Sequence, residues 1–218
     1  MVRQLITNPD EFMERQVAKT KIRVEIIIVL LAGGLGIPGM YYVGQLILDA
    51  SSSEAMQFAV AGRIIRPVMI VFLLWIGYAV ALHFIAGHFR GRGAPRRLFK
   101  GIAWALIPLG IANIVQSIAL YFVFRDVSVA DELVGYTQAE QIQALLDSGF
   151  YDPIFVVSTV IVLVAVLWSA YLMTFVVIHA KNIPREDAIK AVAIPVGIQV
   201  LFILWAFVQG SHNFATLL

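Results

Sequence analysis

Long uncharged apolar runs alternate with short charged connections along this chain. Five of these runs contain no Asp, Glu, Lys or Arg, and each is 21 to 28 residues long. They cover residues 26–48, 67–89, 101–124, 153–180 and 191–211. A helix of about 20 residues crosses the hydrocarbon core of a bilayer, so each run is long enough to cross it once. The pattern therefore predicts five transmembrane helices.

The composition supports a membrane protein. Hydrophobic residues make up 60% of the chain and charged residues only 14%, against about a quarter charged in soluble domains. This balance excludes a soluble enzyme and a nucleic-acid-binding protein. The apolar runs also lack the ten-residue alternation of membrane barrel strands. The predicted fold class is therefore all-α: a polytopic bundle of five transmembrane helices in a membrane domain at 26–211.

Basic residues predict the orientation of the bundle. Thirteen of the 16 Lys and Arg residues fall in residues 1–25 and in the second and fourth connections. Because basic residues in short connections resist translocation, these segments are expected in the cytoplasm. The prediction is a multi-pass protein of the cell (cytoplasmic) membrane. Its amino terminus is cytoplasmic, and its carboxyl terminus, with the tail at 212–218, lies outside.

Two extramembrane segments have helix signals of their own. In residues 1–25, Asn8 is a typical N-cap, Pro9 a typical first helical residue and Glu11 a favourable early acid. This segment predicts an amphipathic helix lying on the cytoplasmic face of the membrane. The outer loop at 125–152 contains Thr137 and Glu140 in capping-box spacing and predicts a short helix.

A glycine-rich stretch with a proline interrupts the first apolar run. Pro38 has no N–H to donate to the carbonyl of Gly34, so that carbonyl needs another partner. A broken helix lining a substrate site and a kinked helix in close contact with its neighbour are both compatible with this pattern. Pro108 and Pro195 are interpreted as kinks, with no matching break in a partner span. The residues of the break are Gly33, Gly34, Gly36, Pro38 and Gly39.

Polar side chains occupy one face of the third predicted span. Asn113, Gln116 and Ser117 follow one another at helical spacings of one, three and four residues. This face is expected to point into the bundle. It could line a permeation path together with Gln45, Gln199 and Gln209, or its side chains could form hydrogen bonds between helices. The run offers no carboxylate near the midplane, where an ion-coupled carrier would normally place one.

The chain contains no cysteine and few other residues that bind cofactors. His83 and His88 are five residues apart, so they point in different directions on a helix. His179 is the third histidine near the predicted cytoplasmic side, and no metalloprotease motif is present. We therefore expect no metal site, no cofactor and no catalytic residue.

The second connection carries the strongest local charge. It has five basic residues and no acid, and such a cluster can bind lipid phosphates or an acidic partner. Enforcing the topology is a second use of the same charges, and the two uses are compatible. The basic residues are Arg90, Arg92, Arg96, Arg97 and Lys100.

Several short motifs resemble those of the Yip domain family, the Ypt/Rab-interacting proteins, in its short prokaryotic form. The likeness covers roughly residues 5–207. The motifs that carry it are Asn8-Pro9-Asp10-Glu11-Phe12, Gly91-Arg92-Gly93, Arg96-Arg97-Leu98-Phe99, Gly101-Ile102-Ala103-Trp104-Ala105-Leu106-Ile107-Pro108, residues 168–179, and Ala188-Ile189-Lys190-Ala191.

The resemblance implies five membrane-spanning helices, a cytosolic amino terminus and a role in membrane organisation. No catalytic residue is carried over from it. We therefore predict a non-enzymatic scaffold or adaptor that contacts anionic lipid on the cytoplasmic side and either another copy of itself or another membrane protein. The alternative is a permease for small solutes or lipids that uses the broken first span and the polar face of the third.

Overall fold

A computed structural model describes residues 2–18, 22–50, 54–126, 149 and 152–208. Every regular element within these ranges is an α-helix, which confirms the predicted all-α class. The helices are α1 (Val2–Thr7), α2 (Pro9–Ala18), α3 (Arg23–Gly34), α4 (Ile37–Ala50), α5 (Glu54–His88), α6 (Pro95–Ala105), α7 (Ile107–Phe124), α8 (Pro153–Lys181) and α9 (Arg185–Val208). The helix predicted between Thr137 and Glu140 and the tail at 212–218 lie outside the described residues.

Five helical segments are long and apolar enough to cross a membrane, which confirms the predicted number of spans. The first span combines α3 and α4, and the third combines α6 and α7. The other three are formed by α5, α8 and α9. Their bounds are Arg23–Asp49, Gln57–His88, Pro95–Phe124, Pro153–Lys181 and Arg185–Val208.

The second span begins earlier than its uncharged run. The uncharged runs leave Arg63 and Arg66 in the connection between residues 48 and 67. However, α5 starts at Glu54 and contains both residues. Arginine is a good helix former, and apolar residues such as Phe58 and Val60 precede the two arginines. Two cations therefore lie within the spanning helix Gln57–His88.

Two spans are interrupted, at neighbouring positions in the bundle. The first breaks at Leu35 and Gly36, between α3 and α4. The third breaks at Leu106, just before Pro108, although the sequence analysis expected no matching break. Pro195, in contrast, lies inside the continuous helix α9.

Glycines allow the interrupted first span to approach its neighbours closely. A Cβ on Gly33 would lie 2.5 Å from the Cα of Val68, and one on Gly36 would lie 2.7 Å from the Cβ of Pro67. Real Cβ atoms do not approach this closely, so larger residues would push the first and second spans apart. The break therefore lies at a close contact between helices, as the interpretation of a kinked helix packed against its neighbour required.

The amino-terminal helix α2 packs against the bundle. Its side chains Phe12, Met13 and Val17 are buried, and the helix contacts α6 and α8. The ring of Phe12 meets the ring of Trp104 edge to face at 5.2 Å. The apolar face that was expected to enter the membrane surface is thus covered by protein.

The bundle has two chemically different ends. The ends of α5 and α8, the starts of α6 and α9, and helix α2 lie together; we call this the basic end. The opposite end, which we call the far end, has its own apolar cluster with Met40, Val60, Leu120 and Phe124 as members. Between the ends, half of the most apolar stretch of the third and fourth spans is buried, but only 22% in the fifth. Helix α9 is therefore the most peripheral span.

Candidate functional site

Four of the five predicted basic residues are exposed at the basic end, and we call them the basic surface: Arg90, Arg92, Arg96 and Arg97. The fifth predicted member, Lys100, is not part of it. Lys100 is only 3% exposed and lies within electrostatic range of Glu25 on α3. The reason is helical geometry, since Lys100 lies on the buried side of α6, with Gly101 and Ile102 next to it.

The connection that carries the basic surface is held against the end of α8. The backbone N–H of Arg92 donates to the carbonyl of Lys181 at 2.8 Å. In return, Asn182 Nδ2 donates to the carbonyl of Arg92 at 3.3 Å. Lys181 Nζ adds a bond to the carbonyl of Gly93, also at 3.3 Å. The arginines therefore project from a backbone whose position is defined.

Backbone geometry explains the residue types at this contact. A Cβ on Gly93 would lie 1.9 Å from the carbonyl oxygen of Ala180, so only glycine permits this approach. Helix α8 ends at Asn182, which has the left-handed φ of 53°, and asparagine is one of the few residues that adopt this conformation readily. Arg90, two residues after the end of α5, has a φ of 60°. A left-handed arginine is unusual and costs about 1 kcal/mol.

Two of the three histidines of this end have polar protein partners. His83 Nδ1 lies 2.6 Å from Lys181 Nζ, and His179 Nε2 lies 2.6 Å from an Asp10 carboxylate oxygen. The second contact joins α8 to α2. Across the described ranges, no three His, Asp or Glu side chains come together as metal ligands would.

A cavity of about 380 Å³ lies in the far half of the bundle, and residues from all five spans line it. Three of its lining residues, Arg66, Leu120 and Phe155, are close to the far ends of their spans. This places the cavity towards the far end. Its apolar lining includes Leu120, Phe155, Phe202 and Ile203. Its polar lining residues are Arg66, Asn113, Gln116, Ser117, Thr159 and Gln199.

Two of the predicted polar side chains bind the backbone of the interrupted first span. Asn113 Nδ2 donates to the carbonyl of Ala32 at 2.8 Å, and Ser117 Oγ donates to the carbonyl of Leu35 at 3.0 Å. Both acceptors lie beside the break, on either side of Gly34. The predicted polar face and the predicted helix break thus form one structural unit.

This unit makes hydrogen bonds between helices and also lines the cavity. Asn113 and Ser117 make hydrogen bonds between helices, as the structural interpretation required. The same two residues, together with Gln116 and Gly36, line the cavity.

Two polar members of the cavity, Arg66 and Thr159, were not predicted from the sequence. The signal for Arg66 was present, because the residues before it continue the helical pattern upstream of Pro67. Gln199 is held by the hydroxyl of Tyr78, which donates to its Oε1. This pairing joins residues 121 positions apart, so no local pattern contains it.

The sequence analysis also missed the role of Lys181 and Asn182 in holding the basic surface. Asn182, with Pro184 two residues later, is a helix stop signal. That signal marks the end of α8, but it does not indicate which connection packs there.

The fold defines an integral membrane protein with five spans, two of them interrupted. The sequence pattern of the Yip1 domain matches residues 3–207, and the chain belongs to the Yip1 domain family. This confirms the resemblance found in the sequence. No curated protein and no solved structure gives a match to the chain.

Replacing Asn113 by leucine tests the link between the polar face and the break. The substitution leaves the carbonyl of Ala32 without its donor in an apolar environment. We expect the free energy of unfolding to fall by about 0.6–1.7 kcal/mol, the range measured for hydrogen bonds between membrane helices. Reversible unfolding by denaturing detergent in mixed micelles measures it.

The matched control is Gln116→Leu, which removes an amide from the same helix but not the bond to Ala32. We expect it to cost less than Asn113→Leu. Equal costs for the two variants would contradict the role of Asn113 as the donor that stabilises the break.

Proposed function

We propose that this Yip1 domain protein is a non-enzymatic scaffold or adaptor of the cell membrane. Its amino terminus and its basic surface lie in the cytoplasm, and its carboxyl end lies outside. The basic surface binds anionic lipid headgroups, and the apolar outer surface of the bundle packs against another membrane protein or a second copy of the chain.

The fixed geometry of the basic surface is the observation that carries this proposal. Arginines that only enforce topology act during insertion and need no defined position. Here, three hydrogen bonds and the close approach of Gly93 hold the connection against α8. A backbone held in one position reduces the entropy that is lost when its arginines bind phosphate, which favours a binding role.

The orientation rests on the same residues. The basic surface and the amino-terminal helix α2 belong to one end of the bundle, and most Lys and Arg residues belong to it as well. The cytoplasmic leaflet carries the anionic lipids that attract such a surface.

The peripheral helix α9 supports the packing part of the proposal. Large apolar side chains are exposed along it, among them Ile198, Leu201 and Trp205. In a bilayer such a surface faces lipid or a partner helix. A stoichiometric companion or a second copy retained in mild detergent is expected, and a strictly monomeric, unaccompanied protein would contradict this part.

Neutralising the basic surface tests lipid binding. The variant Arg92→Gln, Arg96→Gln, Arg97→Gln removes three charges, each contributing about 1 kcal/mol near an anionic surface. We therefore expect the affinity for phosphatidylglycerol to fall by roughly 100-fold and that for phosphatidylcholine to remain unchanged. Native mass spectrometry of the purified protein with each lipid measures both. Lys100 is left intact because it is buried.

The variant Arg90→Gly separates the effect of a lost charge on lipid binding from an effect of lost stability. Glycine adopts the left-handed conformation of this position readily, so the variant should be about 1 kcal/mol more stable. It should still bind phosphatidylglycerol roughly fivefold more weakly. Arg125→Gln at the far end is the control and should change neither property. If Arg90→Gly and the triple variant both bind phosphatidylglycerol normally, the lipid part of the proposal is wrong.

The orientation is tested with single cysteines, since the chain contains none. A cysteine introduced near Leu218 should react with an impermeant thiol reagent on intact cells. A cysteine introduced near Met1 should react only after permeabilisation. The reverse pattern would place the basic end outside and remove the cytoplasmic part of the proposal.

A permease is a second candidate, and the cavity is the specific observation that favours it. All five spans line the cavity, and two of them are interrupted beside each other, as in the discontinuous helices of secondary transporters. The candidate solutes are small polar molecules or lipids.

Flux in proteoliposomes tests this candidate. We expect Gln116→Leu, which changes the cavity but keeps the Asn113 bond, to reduce flux severalfold without loss of stability. Ile198→Leu, on the exposed face of α9, is the control and should have no effect. Absence of flux for every tested ion, solute and lipid would exclude the permease while leaving the scaffold proposal intact.

A further inference from the structure

We propose that the cavity in the far half of the bundle binds a single-chain amphiphile with an anionic head, either a carboxylate or a phosphate. The inference goes beyond the scaffold proposal, which concerns the other end of the molecule. It shares its location with the permease candidate but requires binding only, whether or not the bound molecule is moved.

The polar part of the cavity favours an anion. Among the described residues that line it, Arg66 is the charged one, and a guanidinium group presents several N–H donors to a carboxylate or phosphate. Gln116 and Gln199 line the same cavity. The Oε1 of Gln199 accepts from the hydroxyl of Tyr78, and its Nε2 can donate to a bound head group. The recognised head therefore has acceptor oxygens and a negative charge.

The rest of the lining favours an acyl chain. Leu120, Phe155, Phe202, Ile203 and Phe207 line the cavity together with the polar residues. Burying methylene groups against such side chains contributes about 0.8 kcal/mol per group. A small inorganic anion would leave this surface without a partner, so an amphiphile fits the lining better.

The size and position of the cavity select one chain. Its volume of about 380 Å³ lies at the lower end of the 300–1,000 Å³ typical of ligand pockets, which favours a single acyl chain over two. Phe202 lines the cavity and is also half exposed on the outer face of α9. An amphiphile can therefore reach the cavity from the bilayer, where such molecules partition.

Thermal stabilisation in phosphatidylcholine nanodiscs tests the inference. The probes are oleate and oleoyl lysophosphatidate, which distinguish the two head chemistries, and oleyl alcohol, which has no charge. A ligand that binds only the folded state raises Tm. We expect a rise of about 3–6 °C at saturation with at least one of the two anions and none with oleyl alcohol.

Arg66→Gln and Arg63→Gln form the matched pair of variants. Both remove one arginine from α5, but only Arg66 lines the cavity. We expect Arg66→Gln to weaken the response by tenfold or more in ligand concentration, since hydrogen bonds to a charged group contribute about 1.5–3 kcal/mol. Arg63→Gln should respond like the unmodified protein. Ile203→Trp, which fills the apolar part and keeps Arg66, should also reduce the response.

The outcomes are separable from those of the scaffold proposal. The variant without Arg92, Arg96 and Arg97 should keep the full response, because its substitutions lie at the basic end. If that variant loses the response and Arg66→Gln keeps it, the anion binds the basic surface and the inference is wrong. Equal responses to oleyl alcohol and the anions would also overturn it. Binding without flux would support the inference and contradict the permease.

Discussion

The bundle depends on the rule that a backbone polar group within the hydrocarbon needs a partner. The break at Leu35 and Gly36 leaves backbone carbonyls of the first span without helical partners, and side chains of the third span bind these carbonyls. Asn113 and Ser117 bind the carbonyls of Ala32 and Leu35. These two hydrogen bonds require the two spans to be neighbours, and they place a row of polar side chains beside the break. The cavity lies where this row and the break meet.

Arginine side chains have different surroundings at the two ends of the molecule. At the basic end, the guanidinium groups are exposed and their backbone is held by α8, a geometry suited to a broad anionic surface such as a leaflet. In the far half of the bundle, Arg66 lines a cavity among apolar side chains, a geometry suited to one molecule. The two sites lie in opposite halves of the bundle, and a change in one leaves the charges of the other in place.

Burial distinguishes the exposed arginines of the basic surface from charged residues inside the fold. Lys100 belongs by sequence to the basic connection, but it is buried within range of Glu25. A buried charge without a partner is costly, so removing either residue would leave the other uncompensated. Asp10 and His179 similarly connect α2 to the bundle at 2.6 Å. The Asp10–His179 contact makes the amino-terminal helix part of the folded domain.

The sequence by itself determined the five spans, the helical class, the family and the unequal distribution of charge, because apolar length and Lys/Arg placement are local properties of a chain in a bilayer. It also identified Asn113, Ser117 and the glycine stretch, but not that they bind each other. Only the tertiary structure decided that Asn113 reaches Ala32, 81 positions away, that Lys100 is buried, and that Arg66 lines a cavity. Uniformly apolar helices carry little information about which of their faces meet, so the packing decides these contacts.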